Sequence, residues 1–91
     1  MAKKRERLEV INDILSSIIS SHNSVKPTRL LYASNLSPQM FKDYIDELSK
    51  SELIQQVSDN KGRKHFAVTE KGMHFLEKYR SFSKFVENLG L

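Results

Sequence analysis

Cysteine and tryptophan are absent from this 91-residue chain, and there are only three glycines and two prolines. Without cysteine there is no disulfide staple and no thiolate metal site, which fits a reducing compartment. The scattered glycines form no phosphate-cradling loop, and no serine sits in a nucleophile elbow. The histidines are His22, His65 and His74, and no His-x-x-x-His or Glu-x-x-His spacing links them, so a metal centre has no local support. No apolar run approaches the roughly 18 residues of a membrane span. The opening Met-Ala-Lys-Lys-Arg-Glu-Arg is followed by no secretory apolar region. The expectation is a cytoplasmic protein that is not an enzyme, with no cofactor, no metal, no membrane partner and no evident small-molecule substrate.

What is present is an ordinary folded composition with a moderate basic excess. Fifteen Lys and Arg stand against eleven Asp and Glu, for a net charge of +4. That balance supports a polyanionic partner only weakly, so the position of the charges decides more. The length allows one domain over residues 1–91, divided into a core at 5–72 and a terminal helix at 73–91. A domain of this size buries only about 60–65% of the surface its unfolded chain exposes.

Apolar periodicity sets the elements. Leu8, Ile11, Leu15 and Ile18, widened by Val10, Ile14 and Ile19, predict a helix over 5–21. The Ser-rich stretch 20–24 ends it, and Val25-Lys26 reads as a very short strand. Pro27 suits the start of a second helix, over 28–34, and Asn35 a left-handed turn. Ser37-Pro38 is an N-cap followed by a first-turn proline, opening a third helix to residue 50 that buries Phe41, Tyr44 or Ile45, and Leu48. Helix, short turn, helix is the helix-turn-helix arrangement. Two short strands follow, at 53–57 and 64–68, joined by Asp59-Asn60-Lys61-Gly62-Arg63-Lys64. Thr69 then caps a last helix, with Glu70 in its first turn. The fold class is mainly α with a small β-hairpin: a winged helix-turn-helix with an extended C-terminal dimerisation helix.

In that last helix Phe75, Tyr79, Phe82, Val86 and Leu89 repeat at 4-3-4-3 spacing, a heptad seam. Met73 and Leu76 lie beside it, on the face expected to close the core. Burying one such side chain is worth about 1.5–3 kcal/mol, which favours a partner for the distal turns. The expected partner is a second copy of the chain, with Arg80 and Lys84 flanking the seam. The competing arrangement folds the tail back on the first helix.

Three basic clusters are candidates for contact with nucleic-acid backbone, where affinity comes from phosphate neutralisation. They are Lys61, Arg63 and Lys64 on the wing, Lys26 and Arg29 at the start of the second helix, and an arm of Lys3, Lys4, Arg5 and Arg7. The third helix is less suited, because Asp43, Asp46 and Glu47 outnumber Lys42 and Lys50 on its outward face. Only its N-terminal part, with Ser37, Gln39, Met40 and Lys42, is suited to meet a groove, Gln39 and Lys42 being the candidates for base edges or phosphate. The alternative is that Asp43, Asp46 and Glu47 form intrahelical pairs with Lys42 and Lys50 and face solvent, away from any ligand. Tyr32 and Tyr44 are either phosphate contacts or core rings with a hydroxyl at the rim.

The stretch Lys26-Pro27-Thr28-Arg29-Leu30-Leu31-Tyr32-Ala33-Ser34-Asn35-Leu36-Ser37, with Leu53-Ile54 and Phe66-Ala67-Val68-Thr69-Glu70-Lys71-Gly72, resembles the archaeal 10a-type chromatin-associated proteins of Sulfolobus. The likeness runs from about residue 6 to 82. It implies a winged helix dimerised by an antiparallel coiled coil of C-terminal helices, and nucleoid-associated binding of double-stranded DNA with loose sequence preference. The expected function is therefore that of an architectural chromatin protein or small transcriptional regulator, with a protein–protein interaction module as the alternative. The final helix here is shorter than a long coiled-coil arm.

Overall fold

A computed structural model describes residues 4–90, and side chains from Glu6 onward. Lys3, the side chains of Lys4 and Arg5, and Leu91 lie outside the described residues. The elements are α1 (Lys4–Ser20), α2 (Pro27–Ser34), α3 (Pro38–Lys50), β1 (Ile54–Ser58), β2 (Lys64–Val68) and α4 (Glu70–Asn88). Together they form a winged-helix fold.

The α1 stripe buries Ile11, Ile14, Leu15 and Ile18. The helix ends where His22 and Asn23 turn left-handed, at φ 62° and 58°. There the Asn23 amide N–H closes on the Ile18 carbonyl at 3.0 Å. The Asn23 side chain then clamps the end of β2, accepting from Val68 N at 2.7 Å and donating to Val68 O at 3.3 Å. Two residues on, Val25 and Phe66 exchange both backbone hydrogen bonds, at 3.1 and 2.8 Å. The strand expected at Val25-Lys26 is thus a single bridge, because Pro27 starts a helix at once.

The α2–α3 turn follows the sequence closely. Asn35 takes φ 58°, and Ser37 caps α3 by accepting from Met40 N at 3.2 Å. Phe41 and Leu48 are buried, and Tyr44 and Ile45 pack half-buried beside them. α3 ends in a Schellman-type closure, Leu53 N to Leu48 O at 2.9 Å and Glu52 N to Ser49 O at 3.1 Å. This puts Glu52 at φ 62°, a conformation that costs a non-glycine residue energy.

β1 and β2 pair antiparallel from Ile54↔Val68 to Ser58↔Lys64. β1 begins at Ile54 and not Leu53, since the Leu53 amide closes α3 and its carbonyl accepts from Thr69 N at 3.1 Å. β2 lies between β1 and the Val25 bridge and buries Phe66, Ala67 and Val68; β1 is an edge and exposes all but Ile54.

Thr69 caps α4 by accepting from Gly72 N at 3.0 Å while its hydroxyl donates to Glu52 O at 2.6 Å. Glycine is required at 72: a Cβ there would lie 2.3 Å from the Leu53 carbonyl oxygen and 2.6 Å from Val68 Cγ1. Gly72 and Leu76 define the buried line of α4. Met73, expected to help close the core, is exposed. One residue past Gly72 it is turned about 100° around the helix, off that line. α4 is one continuous helix from Glu70, so the division drawn at 72/73 falls within its first turn. Its later turns extend the molecule to 49 × 27 × 21 Å. Among the described residues no helix is long and apolar enough to cross a membrane, and no three His, Asp or Glu side chains converge as metal ligands.

Candidate nucleic-acid interface

The wing tip is organised by one carboxylate. Asp59 accepts from the backbone N–H of Lys61 and of Arg63, each at 2.9 Å, from Arg63 Nε at 2.9 Å and from His65 Nε2 at 3.2 Å. The Arg63 amide bond, aided by His65, Lys61 and the Arg63 guanidinium against partial desolvation, holds the Asp59 carboxyl well below the usual carboxylate range. Gly62 turns at φ 76° and donates to the Asp59 carbonyl at 3.0 Å. The three expected wing cations therefore differ. Arg63 is exposed but shares its charge with Asp59, whereas exposed Lys61 and Lys64 have no ion-pair partner among the described residues.

The start of α2 lies against the wing through the Val25–Phe66 bridge. Lys26 is the N-cap but supplies no side-chain capping bond, so the first-turn amides are left open. Lys26 and Arg29 are exposed and line a cavity with His65 of β2. The bridge thus brings one expected basic cluster beside the strand that carries part of another.

α3 presents a different surface. Ser37 is exposed, and its oxygen is engaged as the cap. Gln39 donates to Asp43 Oδ1 at 3.0 Å, and Lys42 Nζ pairs with Asp46 Oδ2 at 2.9 Å. The Asp46 hydrogen bond and charge raise the Lys42 pKa above its ordinary value. Glu47 is held by Arg7, whose guanidinium also lies 6.0 Å from the Tyr44 ring centroid. Arg7, expected in a basic arm, is therefore committed to α3. Tyr44 is half-buried beside the core, while Tyr32 stands 76% exposed on α2.

On α4 the expected seam divides. Phe75, packed against the core, stacks with Tyr79 at 6.2 Å between centroids, and Tyr79 and Val86 are half-buried. Phe82 and Leu89 are 59% and 55% exposed, and Phe85, which the 4-3 pattern skipped, is 59% exposed beside them. The spacing 82, 85, 89 was available as the alternative reading of the same heptad. Asp59, His65 and Asn23 shape the site without belonging to any basic cluster. Asp59 opens an Asp-Asn-Lys-Gly turn, a sequence suited to a side chain that bonds its own backbone. Nothing in the sequence pointed to the distant Asn23 clamp.

The chain belongs to the winged helix-turn-helix family, whose profile matches residues 4–87. Within that class, it is similar to the crystal structure of Sso10a-2, a DNA-binding protein from Sulfolobus solfataricus. That match has 28% identity and a TM-score of 0.72, and covers 90% of this chain and 82% of that one. The archaeal 10a-type resemblance is thereby supported in three dimensions. F93 from STIV, a winged-helix DNA-binding protein, shares the fold at 23% identity and a TM-score of 0.69, over 80% of this chain and 85% of that one. An uncharacterized protein of Methanocaldococcus jannaschii is 31% identical over 75 residues, 82% of this chain. The chain spans about a third of the length of that curated relative, 32%.

Proposed function

We propose that this protein binds double-stranded DNA as a homodimer, through the wing and the start of α2, as an architectural chromatin protein or a small transcriptional regulator. The observation that carries the proposal is the Val25–Phe66 bridge, which sets Lys26 and Arg29 beside the strand leading to Lys64 and the wing tip. Cations on adjoining surface segments can follow a phosphate backbone, and each phosphate neutralised releases counterions. The likeness to Sso10a-2 supports the same reading.

The chain acts as a single functional domain over 1–91, with binding rather than catalysis as its role and the nucleoid as its cellular site. Lys26, Arg29, Lys61, Arg63 and Lys64 contact phosphate; Ser37, Gln39 and Lys42 enter the groove only shallowly, because two of the three are already paired with carboxylates on their own helix. Phe75, Tyr79, Phe82, Val86 and Leu89, joined by Phe85, form the seam between two copies. Three exposed apolar side chains within two turns of α4 favour that second copy energetically.

A salt titration of duplex binding tests the proposal. Affinity falls steeply as salt rises, and Lys61→Ala flattens the dependence. Absence of duplex binding at low salt would instead favour an interaction module, a reading that the acidic, self-paired face of α3 supports. For the dimer, Phe82→Glu yields a monomer by sedimentation, and an unchanged mass would remove the seam from the account.

A further inference from the structure

A cavity of about 450 Å³ opens where the end of α1, the Val25 bridge and β2 meet. Ser21, His22, Ser24, Lys26, Arg29 and His65 line it. Every charged or titratable group in that lining is a cation or an imidazole, and no carboxylate is present. Asp59, the acid beside His65, lies outside the lining and accepts from His65 as well as from the wing amides and Arg63. Lys26 and Arg29 in that lining have no carboxylate partner among the described residues, whereas His65 is engaged by Ser24 and Asp59.

We infer that this cavity is a phosphate seat. Lys26 and Arg29 supply the fixed positive charge, and the guanidinium offers paired donors matched to phosphate oxygens. The Ser21 hydroxyl and the His22 imidazole add donors from the opposite wall, beside Ser24, whose hydroxyl lies 3.4 Å from His65 Nδ1. A tetrahedral anion with several acceptor oxygens uses that number of donors. His65 also links the seat to the wing: its ring lies 3.4 Å from Ser24 Oγ on one side and 3.2 Å from Asp59 Oδ2 on the other. An anion that takes the Ser24 hydroxyl therefore bears, through His65, on the carboxylate that shapes the tip. Given the duplex binding proposed above, on which this assignment of the ligand rests, the phosphate is a backbone diester of DNA; the seat itself is also open to a free phosphate or phosphomonoester.

The test uses the full chain. Inorganic phosphate is titrated while the imidazole signals of His22 and His65 are followed by NMR, in the wild type and in Arg29→Ala. Duplex affinity is measured for the wild type, Arg29→Ala, Arg29→Lys and His65→Gln. The expected result is a phosphate-dependent shift of both imidazoles that Arg29→Ala largely abolishes. Duplex affinity falls about tenfold in Arg29→Ala, with a salt slope smaller by about one, and is mostly restored in Arg29→Lys. Shifted imidazoles with unchanged duplex affinity keep the seat and assign it to a free phosphate source. Imidazoles indifferent to phosphate, together with duplex affinities within about twofold of wild type in every variant, overturn it. Loss of all duplex binding by the wild type at low salt contradicts the function proposed above and leaves the phosphate titration to decide the seat.

Discussion

The exposed face of α3 and the corner between α2 and the wing both carry cations, yet they offer a polyanion different things. On α3 Gln39 is turned to Asp43, Lys42 to Asp46, and Glu47 is occupied by Arg7. At the corner, Lys26, Arg29, Lys61 and Lys64 have no carboxylate partner among the described residues. For Gln39 and Lys42 the pairing arises from spacing, since an acid four residues beyond a lysine or glutamine on a helix comes within reach of it. Lys26, Arg29, Lys61 and Lys64 have no acid four residues away in either direction. A paired cation must leave its carboxylate, or carry it toward the phosphates, before it contributes to binding. The number of cations thus says less about a nucleic-acid surface than the charge left over after local pairing.

The largest effect is expected where the two regions share a frame. Gly72→Ala forces a methyl group against the Leu53 carbonyl and Val68 at the base of the hairpin. Backbone cannot yield as a side-chain tip does, so the loss is placed at the upper end of overpacking costs, about 3 kcal/mol. Thermal unfolding followed by circular dichroism should then fall by more than about 10 °C. An unchanged midpoint would mean that α4 and the hairpin are not locked together at this point.

A second change acts on the corner alone. Asp59→Asn keeps the shape of the residue but removes the charge that orders the Lys61 and Arg63 amides. Amide exchange at 61–63 is expected to accelerate while exchange in α3 stays as it is. Acid acts in the same direction. The folded-state pKa of Asp59 is depressed, so its contribution is complete above about pH 4. It is lost as pH falls below that value toward the folded-state pKa. Wing order that survives unaltered in strong acid would show that Asp59 does not hold the tip.

The smallest effect belongs to α3. Asp46→Asn frees Lys42 and removes one negative charge from the outward face, and duplex affinity is expected to rise about two- to threefold. A fall in affinity would mean that Asp46 orients Lys42 for contact, and the contrast between the two surfaces would weaken.

Much of this architecture was legible because local signals agreed with each other. Ser37-Pro38 fixed the start of α3, Asn35 the left-handed turn, and Thr69 the cap of α4. Where signals were tertiary, they were hidden. Glu52 turns left-handed without being glycine or asparagine, because the chain must bring Leu53 against both α3 and Gly72. Asn23 reads as one more polar residue in a serine-rich loop, yet its side chain completes β2. The apolar pattern of α4 identified a seam but not its rotation: with Gly72 and Leu76 packed inward, Phe85 is exposed and Tyr79 and Val86 are half-buried. The candidate interface was legible as clusters of Lys and Arg, and the four-residue spacing of Lys42 and Asp46 already allowed their pairing, while the hold of Asp59 on Arg63 depends on the turn that Gly62 makes.

The most direct measurement compares the salt dependence of duplex binding in two double variants of the full chain. Lys26→Ala with Lys61→Ala strips one cation from each side of the corner; Gln39→Ala with Lys42→Ala strips the paired groups from α3. The logarithmic slope is expected to shrink by about two in the first and to stay within about half a unit of wild type in the second. The opposite pattern, a steady slope in the first and a collapsed one in the second, would mean that α3 is the surface that meets DNA.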